Sequence, residues 1–416
     1  MPNYVDMFRR VTQSVRCDYA LYAQKEALDQ GMRNIDDLTF LIMHSMVSDF
    51  RFARIVGNYL DAFKDPGLKL HVDHDASAYK DYDHGIEVRR YGDALYVEHS
   101  AHPLVEPGDR IVKMDYWSIP EMAERRGDCL YGSSPERERW ESQLHFCGVV
   151  SLERDGERID DVRLAKGSYT TPVPSNAIST LDDGTVLVTL WSLDSACGVE
   201  ELVARNEGIL RSAKRIVIDV RKCTGSCDEA LLALSGLVAD DGMRIADFVE
   251  ESCLINYSEG NCRLLEESLA LSKDPWAASL LMDARAHRGE GLVPFDCDIP
   301  EALRKPIAPM CDARVVVLAD VRCEGAAETL AEMAKASDRC ALVGRNTAGL
   351  AGSFFPVAMP VGEHFWVEYP IACYSSEARA RHFCGSGVSV DVHIPWTPEQ
   401  LSCDVDLEAG LEFLSE

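Results

Sequence analysis

No stretch of this sequence stays apolar for the roughly 20 residues that a membrane-crossing helix requires. The N-terminal MPNYVDMFRRVTQSVRCDY also lacks the unbroken apolar core of a secretory signal. Positive charge is scarce: 42 Lys and Arg stand against 69 Asp and Glu, a net charge of −27. Such a field repels phosphate backbones and anionic lipid, so nucleic acid and membrane surfaces are not expected partners. No repeat with a period of 20 to 50 residues and no low-complexity segment occurs. What is present is ordinary globular composition, 46% hydrophobic and 27% charged over 416 residues, enough for two or three domains. The fifteen cysteines are scattered through a long chain without a signal, which predicts reduced thiols and a cytoplasmic location rather than a disulfide framework.

The pattern changes twice along the chain. Met7, Val11, Val15, Tyr19 and Tyr22 recur at helical spacing, and LTFLIMHSMVSDF repeats the amphipathic pattern, so residues 1–80 are expected to be a helical segment. Residues 85–165 alternate as short strands: IEVRRY, ALYVEHS, DRIVKMD and GVVSLERDGERIDDVRL. Asp155-Gly156 lies between two of these runs as a hairpin turn. One helical stretch near 119–126 interrupts them, and the sum predicts a small, partly open β-barrel. A Ser/Thr/Pro-rich linker, KGSYTTPVPSNAIS, precedes residues 180–416. There GTVLVTLWS, KRIVIDVR, ARVVVLADV and CALVGR alternate with helical runs such as AAETLAEMAKAS. Continuous Val/Ile/Leu strands between helices predict an α/β unit with a parallel sheet covered on both faces.

Four segments, in order, carry a resemblance: ALYVEHSAHPLVEPGDRIVKMDYWSIPEM, KRIVIDVRKCTGSCDEALLAL, VVVLADVRCEGAAETLAEMAKASDRCALVGRNTAG and GSGVSVDVHIPWT. Together they resemble the tail-specific, or C-terminal processing, peptidases, whose relatives include tricorn-type proteases and retinoid-binding repeats. The resemblance implies an α/β fold with a crotonase-like (ClpP/crotonase) core and a PDZ-like β domain. It also implies peptides or protein C-termini as partners and a homo-oligomer as one assembly. No cofactor and no metal is expected.

The resemblance places the catalytic serine at the turn before the helix AAETLAEMAK, where this sequence has Gly325 in Cys323-Glu324-Gly325-Ala326-Ala327-Glu328. Glycine has no side chain to attack with. Where one branch uses a lysine base, Leu350 stands; the other branch uses a histidine, and Asp81-Tyr82-Asp83-His84-Gly85 offers His84. Cys384 occupies the place of a glutamate in that branch. The oxyanion donors implied are the backbone N–H groups of Gly225 and Ala326, although only Gly225 remains of the family's glycine-rich turn, here Lys222–Ser226.

Each assignment has a plainer reading beside it. His84 can be a histidine in a polar turn, Gly325 a helix-capping glycine, and Glu328 a capping or dipole partner. Asp219 and Arg221 read as a structural ion pair. Cys323 is the nearest thiol to the vacated position, and a helix N-terminus would lower its pKa. Neighbouring residues of the turn point in different directions, however, so it does not replace the serine. Cys384 lies close to His382 and by default is a buried thiol. Cys223-x-x-x-Cys227 and His71-x-x-His74 have metal-ligand spacing without a second matching pair, and GRNTAGLAG lacks the Gly-Lys-Ser/Thr ending of a phosphate loop.

The expectation is a protein that binds extended peptides or protein C-termini on a peptidase scaffold with lost or reduced proteolysis. Two alternatives stand beside it. One is an active serine-type peptidase with His84 as base, whose serine was replaced; the other is a carrier of a small apolar ligand.

Overall fold

The computed structural model describes residues 3–44, 46–72, 84–127, 129–130, 132, 134–164, 169, 174–249, 252–270, 272, 275–296, 299–349, 353–381 and 385–415. Runs of Val, Ile and Leu bounded by Asp and Gly produce its central feature, a mostly parallel sheet. Strands Val186–Thr189, Arg215–Asp219, Arg314–Ala319, Cys340–Gly344 and Val392–His393 lie side by side in chain order, all parallel. Ala177–Thr180 adds an antiparallel edge. Consecutive residues of the inner strands, such as Ile216, Val217 and Ile218, are fully buried, which requires cover on both faces. Helices Ala196–Arg205, Leu231–Val238 and Ala326–Lys335 share one apolar core with Ile216, Ile218, Val315 and Val317. Helix Val405–Ser415 covers Val217, Val316, Leu318 and Val343 on the other side. Burying each such side chain contributes about 1.5–3 kcal/mol. The run GVEELVARNEGILRSA forms two helices, because the Asn206 side-chain amide bonds back to the Leu202 carbonyl and ends the first.

Contacts divide the chain into two units. One comprises Pro172–Cys253, Phe295–Gly352 and Tyr374–Glu416, and contains that parallel sheet. The other comprises Met1–Thr171, Leu254–Pro294 and Ser353–Cys373. In it, strands Ile86–Tyr91, Ala94–Ser100, Arg110–Met114, Val149–Arg154 and Glu157–Arg163 form an antiparallel sheet. Its first and last strands do not pair with each other among the described residues, so the sheet is open rather than a closed barrel. Asp155 and Gly156, both at positive φ, make the expected hairpin turn. Helix Ile119–Arg126 starts on a capping box in which Ser118 and Glu121 satisfy each other's backbone N–H groups.

The N-terminal helices Tyr4–Cys17, Gly31–Met43 and Asp49–Asp61 are amphipathic, but the run LTFLIMHSMVSDF is not one helix: it spans the end of the second, capped at His44, and the start of the third, where the Ser48 side chain accepts the Arg51 N–H. Their apolar side supplies Phe8, Phe52 and Tyr59: Tyr59 packs edge-on against Phe8 and against Phe63 just past the third helix, and Phe52 packs against Phe365. Phe365 belongs to the hairpin Ser353–Pro360/Phe365–Cys373, which forms a third sheet with Lys69–Val72, Ser252–Asn256 and Leu292–Asp296. The end of the first helix is tied to this sheet: Asn256 donates to the Cys17 and Asp18 carbonyls and Ala20 N–H to the Pro370 carbonyl. The protein is thus a mixed α/β fold with several sheets.

Candidate functional site

Strand Arg314–Ala319 stops at Asp320, whose carboxylate accepts the Val321 N–H at 2.7 Å and Arg345 Nε at 2.9 Å. The chain turns through Cys323 and Glu324 and enters helix Ala326–Lys335 with Gly325 as its N-cap. Gly325 has φ +66° and ψ −130°, a conformation open essentially to glycine. A Cβ at this position would overlap the backbone carbonyl oxygen of Gly225. That same oxygen accepts the Ala326 N–H at 2.8 Å, and the Glu324 N–H donates to the Cys223 carbonyl at 2.9 Å. The turn before the helix is therefore zipped onto residues 223–225.

The 223–225 segment is itself pinned. Thr224 N–H donates to the Trp191 carbonyl at 3.1 Å, and Leu193 N–H to the Thr224 carbonyl at 2.7 Å. Gly225, at φ +121°, approaches the Leu193–Asp194 backbone so closely that a Cβ would lie 2.5 Å from the Leu193 carbonyl carbon. The structure thus brings Gly225, Gly325, Ala326 and Cys323 together. Gly225 and Ala326 meet as acceptor and donor of one bond, rather than as two donors aimed at a common oxyanion.

Cys323 is fully buried, and so is Cys223. Burial, with Glu328 as the next contributor, pushes the Cys323 thiol well above its ordinary range. Burial followed by Asp194 pushes Cys223 up to about 12. The depression expected from the helix N-terminus is overridden, and both thiols stay protonated at neutral pH. His84 is 3% exposed and leads into strand Ile86–Tyr91 of the other unit; Gly85, next to it, accepts the Ala101 N–H through its carbonyl. Asp81, Tyr82, Asp83, Leu350, His382 and Cys384 lie outside the described residues.

Glu328 does more than the cap or dipole partner expected of it. Its buried Oε1 accepts Thr347 Oγ1–H at 2.6 Å and the Gly349 N–H at 2.7 Å, and Thr347 Oγ1 in turn accepts the Val388 N–H at 2.8 Å. One carboxylate thereby ties the helix start to the loops after strand Cys340–Gly344 and before strand Val392–His393. Beneath them lies a charge cluster that sequence reasoning found only in part. Arg345 pairs with Asp320 and, through both terminal nitrogens, with Asp406; Arg221 pairs with Asp219, Asp404 and Asp406. Burial strips hydration from the Arg221 guanidinium, yet Asp219 and Asp404 hold it well above the ordinary arginine range. Asp219 and Arg221 do form the expected ion pair, at 2.7 Å. Arg345 and Thr347 were visible inside GRNTAG, which carries part of the family resemblance and a weak phosphate-loop pattern, but neither residue had a role assigned to it.

Among the described residues, no group of three or more His, Cys, Asp or Glu side chains could hold a metal ion. No described helix is long and apolar enough to cross a membrane.

The CPAF structures share this fold. The crystal structure of mature CPAF superposes with a TM-score of 0.58 at 13% identity, covering 99% of this chain and 95% of that one. CPAF complexed with lactacystin gives 0.57 at 13%, covering 99% and 97%. The photosystem II D1 C-terminal processing protease gives 0.46 at 16%, covering 100% and 98%. No curated protein matches. The description of peptidase family S41 matches residues 184–394, just over half of the chain and most of the parallel sheet, and the chain belongs to that family.

Proposed function

We propose that this chain uses an S41 peptidase scaffold to bind extended peptides or protein C-termini and does not cleave them by serine chemistry. In this reading the unit that holds the parallel sheet is a crotonase-like core and residues 85–165 are a PDZ-like domain, while the N-terminal segment is helical as far as Asp61 and continues into the strand Lys69–Val72. The carrying observation is position 325. The residue there is glycine, its conformation suits glycine alone, and the Gly225 carbonyl fills the space that a side chain would need. The same carbonyl takes the Ala326 N–H that would otherwise stabilise an oxyanion. Loss of the nucleophile alone typically costs several orders of magnitude in rate. Cys323 does not compensate, since its thiol is buried and held protonated. Strand addition supports the binding half of the reading: a sheet edge can take an extended peptide through main-chain hydrogen bonds. His84 is assigned as the base of the ancestral reaction. Neither cofactor nor metal is needed.

The test uses the full chain and its Gly325→Ser variant. Each is titrated into labelled peptides while anisotropy is read, and each is incubated with an unfolded-protein pool whose new termini are read by mass spectrometry. The unmodified chain is expected to bind saturably and to create no termini. Termini produced by the unmodified chain, or no saturable binding, overturn the reading. Cleavage by Gly325→Ser that is lost again in Gly325→Ser/His84→Ala supports the placement of nucleophile and base.

A further inference from the structure

Arginine and lysine are the minority charges of this protein, and in the unit containing residues 1–171 most arginines have carboxylate partners. Arg90 pairs with Glu138, Arg110 with Asp93 and Glu153, and Arg154 with Glu106 and Asp109. One cleft departs from this pattern. It lies between helices Gly31–Met43, Asp49–Asp61 and Ile119–Arg126 and has two adjoining lobes of about 340 and 550 Å³. Arg33, Arg54, Arg125 and Arg126 line both lobes.

Among the described residues, the guanidinium groups of Arg33, Arg54 and Arg126 make neither an ion pair nor a hydrogen bond, and Arg125 lies over the Trp117 ring at 3.6 Å. Two carboxylates, Asp37 and Asp115, also line the cleft, so four positive charges meet two negative ones. Burial first, then the proximity of Arg126, lowers the Arg54 pKa; Asp115 offsets part of this. Arg125 and Arg126 alone would be ordinary helix C-terminal cations. Arg33 and Arg54 come from two other helices, so the convergence is tertiary. Like charges brought together without partners raise the energy of the empty cleft, and a bound anion lowers it.

We propose that this cleft is a binding site for a multiply charged phosphoryl anion, held by Arg33, Arg54, Arg125 and Arg126. The planar guanidinium fork matches tetrahedral oxyanions in bidentate fashion. Four cations against two fixed carboxylates call for at least two negative charges on the ligand. Lobes of this size admit a small molecule. All its lining residues belong to the unit containing residues 1–171, and the proposal does not depend on the reading given to the 223–226 and 323–328 turns.

The experiment is isothermal titration of the full chain at low salt with pyrophosphate, adenosine diphosphate, citrate and a hexaglutamate peptide. Saturable binding of pyrophosphate is expected, weakened about tenfold or more in Arg54→Gln/Arg126→Gln and unchanged in Arg205→Gln, which removes an arginine paired with Glu201 elsewhere. Tighter binding of adenosine diphosphate than of pyrophosphate identifies a nucleotide as the source of the phosphoryl groups; equal binding identifies the free anion. Arg54→Lys/Arg126→Lys keeps the charge and removes the fork, so an intermediate affinity is expected even if the glutamine variant fails to fold. Absence of saturable pyrophosphate binding below about 1 mM, undiminished binding by a folded glutamine variant, or tighter binding of citrate or hexaglutamate overturns the proposal.

Discussion

At position 325 the presence or absence of one carbon decides what the turn can do. Serine or alanine there must adopt a glycine-only conformation and also displace the Gly225 carbonyl, which in turn breaks its bond with the Ala326 N–H. Gly184 separates these two costs. It also has positive φ, +83°, but a Cβ there meets nothing within 4 Å. Gly184→Ala is therefore expected to cost only the left-handed backbone, about 1–2 kcal/mol, whereas Gly325→Ala costs more than this because a backbone carbonyl must move. Urea unfolding of the two variants compares them, and equal losses would mean that the Gly225 carbonyl yields freely. Cys323 carries a parallel lesson about competing effects. A helix N-terminus stabilises a nearby anion by about 0.3–1 kcal/mol, whereas removing a charged group from water costs several kcal/mol. Burial wins, and an expectation built on the dipole alone points the wrong way.

Helix Asp49–Asp61 shows the same competition at the scale of an element. It closes on an aspartate, although the C-terminal end of a helix favours cations. Asp61 Oδ2 is buried and has no hydrogen-bond partner among the described residues. Burial raises its pKa from 3.8 to about 6, with Glu141 adding to the rise and a hydrogen bond from Ser142 opposing it. The folded state therefore holds this proton more tightly than the unfolded chain. Its stabilising contribution is complete below about pH 4 and is lost as pH rises through about 6. Asp61→Asn is expected to flatten the fall in stability across that window and to gain on the order of 2 kcal/mol at pH 7. Thermal unfolding at several pH values checks this, and parallel profiles for the two proteins would refute it. Helix Ile119–Arg126, by contrast, begins and ends where the sequence pattern placed it, because its capping box and neighbouring Pro120 are local signals.

For the whole molecule the governing quantity is the net charge of −27. Its long-range field favours basic or neutral peptides over acidic ones, and added salt screens that preference over a Debye length of about 10 Å at 0.1 M. Binding of matched basic and acidic peptides at low and high salt tests this: the basic peptide is expected to bind more tightly at low salt, with the difference shrinking as salt rises. Equal binding at low salt would remove the prediction. The arginine-lined cleft is a local exception to that field, which is why a short-range, multiply charged ligand is proposed there rather than a long acidic chain.

Local and compositional information determined much of this protein. The periodicities predicted the strands of the parallel sheet and of the antiparallel sheet, the hairpin at Asp155-Gly156 and the amphipathic N-terminal helices. Short motifs pointed to the peptidase family and showed that residue 325 has no hydroxyl. These features depend on neighbouring residues, so they can be read along the chain. Tertiary structure alone decided that the Gly225 carbonyl fills the space beside Gly325, that Glu328 reaches Thr347 and Gly349, that Asn256 grips the end of the first helix, and that four arginines from three helices share one cleft. Each joins segments far apart in the sequence or depends on where a carbonyl or guanidinium points. Such directions are set only when the backbone is packed, since hydrogen bonding and desolvation change steeply over fractions of an ångström.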